Sequence, residues 1–146
     1  MKKKNFLQGG VFFLILIFIT QISAISVEMD SGFDKGEMLS AKISGNFIQP
    51  PTEKDVEIYK GHTKTASNID LNKFSEDYYI SSPLINKEQG KYSLRIKNVK
   101  YKQGLETLEK DIISNFTISN KTADFWIDKG FIVTGKEFSI DYQNLQ

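Results

Sequence analysis

The chain has 146 residues, of which 40% are hydrophobic, 25% charged and 12% aromatic, a globular composition with room for one domain and a short appendage. It contains no cysteine and one histidine, His62, so disulfides, thiolate metal sites, cysteine nucleophiles and paired-histidine chemistry are excluded. The formal net charge of +1 lacks the basic surplus of a nucleic-acid-binding domain.

The chain opens with an export pattern. Lys2, Lys3 and Lys4 form a positive start, residues 11–19 are an unbroken apolar run, and Thr20, Gln21 and Ser23 lead into the small residue Ala24. This order predicts a secretory signal-peptide helix over residues 1–24, cleaved after Ala24. A spanning helix needs about 20 apolar residues to cross roughly 30 Å of hydrocarbon, whereas this run has nine and follows Gly9 and Gly10. An uncleaved N-terminal anchor is the alternative. No cysteine follows the segment, which excludes a lipid-attached lipoprotein. The expected location is therefore secreted or at the extracellular cell surface, with membrane contact only through the N-terminal segment before cleavage. Loss of three lysines would leave 16 basic against 18 acidic residues, a slightly acidic exported part.

From residue 25 the apolar positions repeat every two residues, the period of a half-buried strand. Ile25, Val27 and Met29 form one inward set, and Leu39, Ala41, Ile43, Gly45 and Phe47 the next. Shorter runs follow at residues 56–59 and 78–80, then Tyr92, Leu94 and Ile96, then Ile112, Phe116 and Ile118. The phase changes after Lys97, so a bulge or strand end is expected near Asn98. Turn formers separate the runs at Asp34-Lys35-Gly36, Gln49-Pro50-Pro51-Thr52, Lys60-Gly61, Glu88-Gln89-Gly90 and Gln103-Gly104. Residues 105–111 fit a short helix through Leu105, Leu108 and Ile112, or the opening of the last strand. Seven short strands of this kind must bury their apolar faces in a second layer, which predicts an all-β, two-sheet antiparallel sandwich.

Two stretches carry a resemblance. Phe33-Asp34-Lys35-Gly36-Glu37 followed by residues 39–47, and later Gly90-Lys91-Tyr92-Ser93-Leu94, resemble the opening and closing strands of immunoglobulin-like and macroglobulin-like modules in prokaryotic cell-surface proteins. The resemblance covers residues 25–118 and implies an immunoglobulin-like sandwich. Lys35 stands where those modules often carry proline before the glycine. A reactive thioester of the macroglobulin type would need a cysteine that this chain lacks.

Asp30-Ser31-Gly32-Phe33 recurs as Asp128-Lys129-Gly130-Phe131, and Gly36, Leu39 and Ser40 correspond to Gly135, Phe138 and Ser139 one residue further along. An offset near 98 fits tandem immunoglobulin-like domains of about 100 residues. The expected organisation is a signal peptide over 1–24, a sandwich over 25–119, and, over 120–146, a linker with the first strands of a truncated second sandwich. A terminal hairpin turning at Thr134-Gly135-Lys136 and packed on the first domain is the other reading of that last stretch.

No catalytic residue, metal site or cofactor is expected. His62, in the polar stretch Gly61-His62-Thr63, fits solvated surface, and the acid pairs Glu53/Asp55 and Glu76/Asp77 fit neither a calcium loop nor a glycosidase pair. Tyr59, Tyr79 and Trp126 fall out of phase with their apolar neighbours and form the candidate ligand-binding set, because exposed rings stack on sugars. Asn115 and Asn120 begin Asn-x-Thr triplets and are candidate N-glycosylation positions. The expected function is a non-catalytic structural or adhesive module at the cell surface, whose partners are other surface proteins or neighbouring β-sandwich domains. A carbohydrate-binding module with a polysaccharide partner is the alternative, and no nucleic acid is expected.

Overall fold

The computed structural model describes residues 25–127, 129–132, 134 and 137–144. The segment assigned to the signal peptide, its cleavage point, and Gly135 and Lys136 of the expected turn lie outside the described residues.

Alternation becomes structure most plainly in β3 (Met38–Ser44), where Leu39, Ala41 and Ile43 are buried and Ser40, Lys42 and Ser44 point away. It sits in a four-stranded sheet, ordered β1-β3-β7-β6, with β1 (Ser26–Met29), β6 (Asp70–Phe74) and β7 (Asp77–Pro83). The second sheet is ordered β2-β9-β8-β4-β5, from β2 (Gly32–Lys35), β4 (Val56–Lys60), β5 (Thr63–Thr65), β8 (Gly90–Gln103) and β9 (Glu106–Thr122). The inner faces meet in one core: Leu39, Ile43 and Ile80 from the first sheet, and Ile58, Leu94, Ile96 and Ile118 from the second, are all almost fully excluded from water. Aromatic rings tie its lower half, with Phe33 edge-on to Phe116 at 5.6 Å and Tyr92 stacked on Phe116 at 5.5 Å.

The all-β two-layer expectation holds, and the strand order is that of an immunoglobulin-type sandwich. Three details differ from expectation. First, the opening strand is split: β1 pairs antiparallel with β3, then the chain crosses at Asp30–Ser31 and β2 pairs parallel with β9. The sandwich is therefore mixed rather than purely antiparallel, because β2 reaches the second sheet running the same way as its last strand. Second, residues 105–111 are not helical. Leu105 lies in the turn after β8, and residues 106–111 open β9, the other reading of this stretch, where Leu108 lies opposite Tyr101 and cross-strand pairing outweighs the helical spacing. A three-residue 3-10 turn, Glu53–Asp55, is the one helical element among the described residues. Third, β9 continues through Thr122, so residues 120–122 are strand rather than linker, and the buried Ala123 donates its N–H to the Lys35 carbonyl at 2.9 Å.

The bulge falls where the phase change placed it. The β8–β9 register shifts between Ile96 and Val99, and Asn98 takes a left-handed φ of 51° while its N–H donates to an Asp111 carboxylate oxygen at 3.0 Å. The bulge keeps Val99 and Tyr101 facing inward above it, although their sequence parity has changed.

Beyond β9, β10 (Phe125–Ile127) pairs antiparallel with β11 (Tyr142–Asn144). β10 occupies the place that the 98-residue offset assigns to β1, and both pair antiparallel with a later strand. The registers differ, since Val27 faces Ile43 whereas Phe125 faces Asn144. Between these strands Gly130 and Phe131 lie against the outer face of the four-stranded sheet. The Phe131 ring stacks on Tyr79 with centroids 4.1 Å apart, and a Cβ on Gly130 would come within 2.4 Å of the Ser81 Cβ.

Candidate functional site

The outer face of the five-stranded sheet concentrates the interacting polar groups. In β4, Val56 and Ile58 enter the core, so Glu57 and Tyr59 must point outward. The β4–β5 hairpin closes with a two-residue turn opened by Gly61 at φ 59°, a conformation that favours glycine, and this sets Lys64 opposite Tyr59. On the other side β8 sets Ser93 opposite Tyr59 and Arg95 opposite Glu57.

Glu57 therefore sits under a canopy. Its carboxylate accepts from Lys64 Nζ at 2.7 Å, Lys97 Nζ at 2.9 Å and the Tyr59 hydroxyl at 2.8 Å, and these groups leave it only 7% exposed. The hydrogen bonds from Lys64, Lys97 and Tyr59, in that order, hold its carboxyl down at about 2 against an ordinary 4.5, despite the opposing effect of burial. Lys97 is raised in turn, chiefly by its hydrogen bond to Glu57. Arg95 lies over the Tyr59 ring, its guanidinium carbon 4.1 Å from the centroid, and its Nε donates to Ser93 Oγ at 3.3 Å. Beside this pair, β9 presents the exposed Asn115 opposite Ser93 and Ile113, 53% exposed, opposite Arg95. Beside the bulge, a polar cleft of about 400 Å³ opens between Pro50, Pro51, Lys97 and Lys100.

The structure separates the aromatic residues singled out in the sequence. Tyr59 is on the five-stranded sheet and Tyr79 on the four-stranded one, so they face opposite ways, and the Tyr79 ring is covered by Phe131. Trp126 lies in β10, and its side chain is outside the described part of the chain. No common stacking platform forms from Tyr59 and Tyr79. His62 is exposed in the β4–β5 turn. Asp55 caps its 3-10 turn by accepting from the Thr52 N–H at 2.8 Å, and Asp77 pairs with Lys42 at 3.2 Å, its carboxyl lowered first by a Ser44 hydrogen bond and then by Lys42. Asn115 is exposed on β9, while Asn120 is exposed with its Oδ1 accepting from Lys35 Nζ at 2.8 Å. Among the described residues no three histidine, cysteine or acidic side chains converge as metal ligands.

The Glu57 cluster was not among the sequence candidates. The signal for it was present: Glu57 and Tyr59 are the outward positions of a strand that ends in a two-residue glycine turn, and such a turn fixes Lys64 as their neighbour.

The fold and this face define a two-sheet β-sandwich of immunoglobulin-like strand order whose outer polar surface is built from side chains on strands rather than loops. No protein-family model matches the chain, and the comparison with curated proteins found no match.

Proposed function

We propose that the chain is an exported, non-catalytic sandwich module with a structural or adhesive role at the cell surface, of the kind found in prokaryotic surface proteins. The observation that carries this reading is the inequality of the two outer faces. The chain's own residues 130 and 131 cover part of the four-stranded sheet, whereas the five-stranded sheet presents an exposed Ile113 beside the Tyr59–Arg95 stack. A sheet face with an apolar residue amid polar ones suits contact between macromolecules. Glu57 on that face is saturated by three donors, which fixes the local shape and keeps this carboxylate from serving as a general base. The export pattern of residues 1–24 supports the location, and the Gly36-Glu37 step from β2 into β3 supports the resemblance.

The test joins location to adhesion. Intact cells expressing the full coding sequence are labelled with an impermeant reagent, the protein's N-terminus is determined, and cell clustering is scored with the wild type and with Ile113→Glu. The expected result is surface label, a chain beginning at Ile25, and clustering lost in the variant. A chain retained inside the cell with Met1 intact, or clustering indifferent to Ile113→Glu, overturns the reading.

A further inference from the structure

The outward cations of β5 and β8 divide into two groups. Lys64 and Lys97 are held by Glu57, and Lys100 by Glu109 at 3.5 Å. Lys91, Arg95 and Lys102 pair with no carboxylate among the described residues, and all three project outward from the same strand, β8. The bulge contributes to this alignment, because it shifts the outward phase from odd to even numbers and so keeps Lys102 on the same side as Lys91 and Arg95. At roughly 3.3 Å per residue, the three charges are spread along about 36 Å of strand.

We infer that this row is the binding line for an acidic polysaccharide, a linear glycan carrying carboxylate or sulfate groups, which gives the adhesive face of the proposed function its ligand class. The spacing is too wide for a small anion to bridge and suits a ligand with repeated negative charges. Beside the row lies a group that a sugar uses, the exposed Asn115 amide. A peptide in extended form gains most from the free backbone edge of a sheet, and the row runs along β8, whose backbone is paired on both sides by β4 and β9. The sheet's own geometry thus favours the glycan over an acidic peptide. The charge is local, since residues 25–146 as a whole hold 16 basic against 18 acidic residues.

The experiment compares protein expressed from the full coding sequence with two triple variants. One reverses the row, Lys91→Glu, Arg95→Glu and Lys102→Glu; the other reverses three cations elsewhere, Lys54→Glu, Lys73→Glu and Lys129→Glu. Thermal melts establish that both fold. Binding is measured to immobilised polygalacturonate, neutral dextran and poly-glutamate across a salt series. The expected result is binding to polygalacturonate alone, weakened by salt, reduced about ten- to a hundredfold in the row variant and little changed in the control. Equal loss in both variants, equal binding to dextran, or poly-glutamate bound as tightly as polygalacturonate overturns the ligand class, the last in favour of an acidic protein partner. Absence of binding to every probe at low salt also overturns it. Cell clustering that survives reversal of the row refutes this ligand and leaves the adhesive role standing, whereas its loss through Ile113→Glu is read separately.

Discussion

Replacing Glu57 with glutamine tests whether the canopy is held by charge. In the native protein the carboxylate accepts from two ammonium groups and one phenol while only 7% exposed. Glutamine keeps one acceptor oxygen but turns an amide N–H₂ toward one of the lysines. A carboxyl held at about 2 instead of 4.5 bounds the loss from above. Lys64 and Lys97 are 59% and 39% exposed, so solvent screens both and reduces the figure to about 2 kcal/mol at neutral pH. In a domain of this size that lowers the melting temperature by roughly 5–10 °C. A depressed carboxyl contributes its stability above its unfolded value and loses it as pH falls through the folded one. The gap between wild type and Glu57→Gln should therefore be full above about pH 5 and close progressively between 4.5 and about 2. Thermal melts followed by circular dichroism at pH 7, 4.5, 3.5 and 2.5 read this directly. A gap that is unchanged across that range, or below about 2 °C at pH 7, refutes the electrostatic account.

Three further outcomes follow from packing and backbone geometry. Gly130→Ala places a Cβ 2.4 Å from the Ser81 Cβ and should lift residues 129–132 off the sheet, accelerating their amide exchange while the global melting temperature barely moves. Asn98→Val, forced into φ 51°, should cost about 1–2 kcal/mol in urea titration, whereas Asn98→Gly should cost less. Phe116→Ala removes a ring that touches both Phe33 and Tyr92 and should destabilise by about 3–5 kcal/mol, read as a lower urea midpoint.

Much of the fold was legible in the sequence because a half-buried sheet writes its burial into alternate residues. Leu39, Ala41 and Ile43, and Tyr92, Leu94 and Ile96, are buried as their phase requires, and the phase change after Lys97 located the bulge. The split of the first strand was less visible. Asp30 and Ser31 are ordinary polar residues, and nothing local distinguishes a turn from a passage between sheets. For residues 105–111 the helical alternative fails and the strand alternative holds from Glu106 on: Leu105, Leu108 and Ile112 satisfy a helical period by chance, while the tip residue Leu105 is fully solvent-exposed and takes no part in the core. The candidate site was legible only in its separate residues. Alternation says that Tyr59 and Tyr79 point outward, but which sheet each strand joins decides whether they share a face, and that depends on pairings between distant segments. The Glu57 canopy unites β4, β5 and β8 for the same reason, although its hairpin half could have been drawn from the turn at Gly61.

The split first strand also determines how the domain bears load. β1 begins at one pole of the sandwich and β9 ends at the other, while β2 and β9 run side by side in the same direction. A pull applied between Ile25 and Ala123 drags β2 and β9 past each other along their length. The links between them, including Thr117 N–H to the Ser31 carbonyl, Ala123 N–H to the Lys35 carbonyl and Ser119 Oγ to Asp34, are then loaded together in shear rather than peeled one at a time. The first strand thereby acts as a mechanical latch across the domain, stiff toward tension between its two poles even though each of its bonds is individually weak.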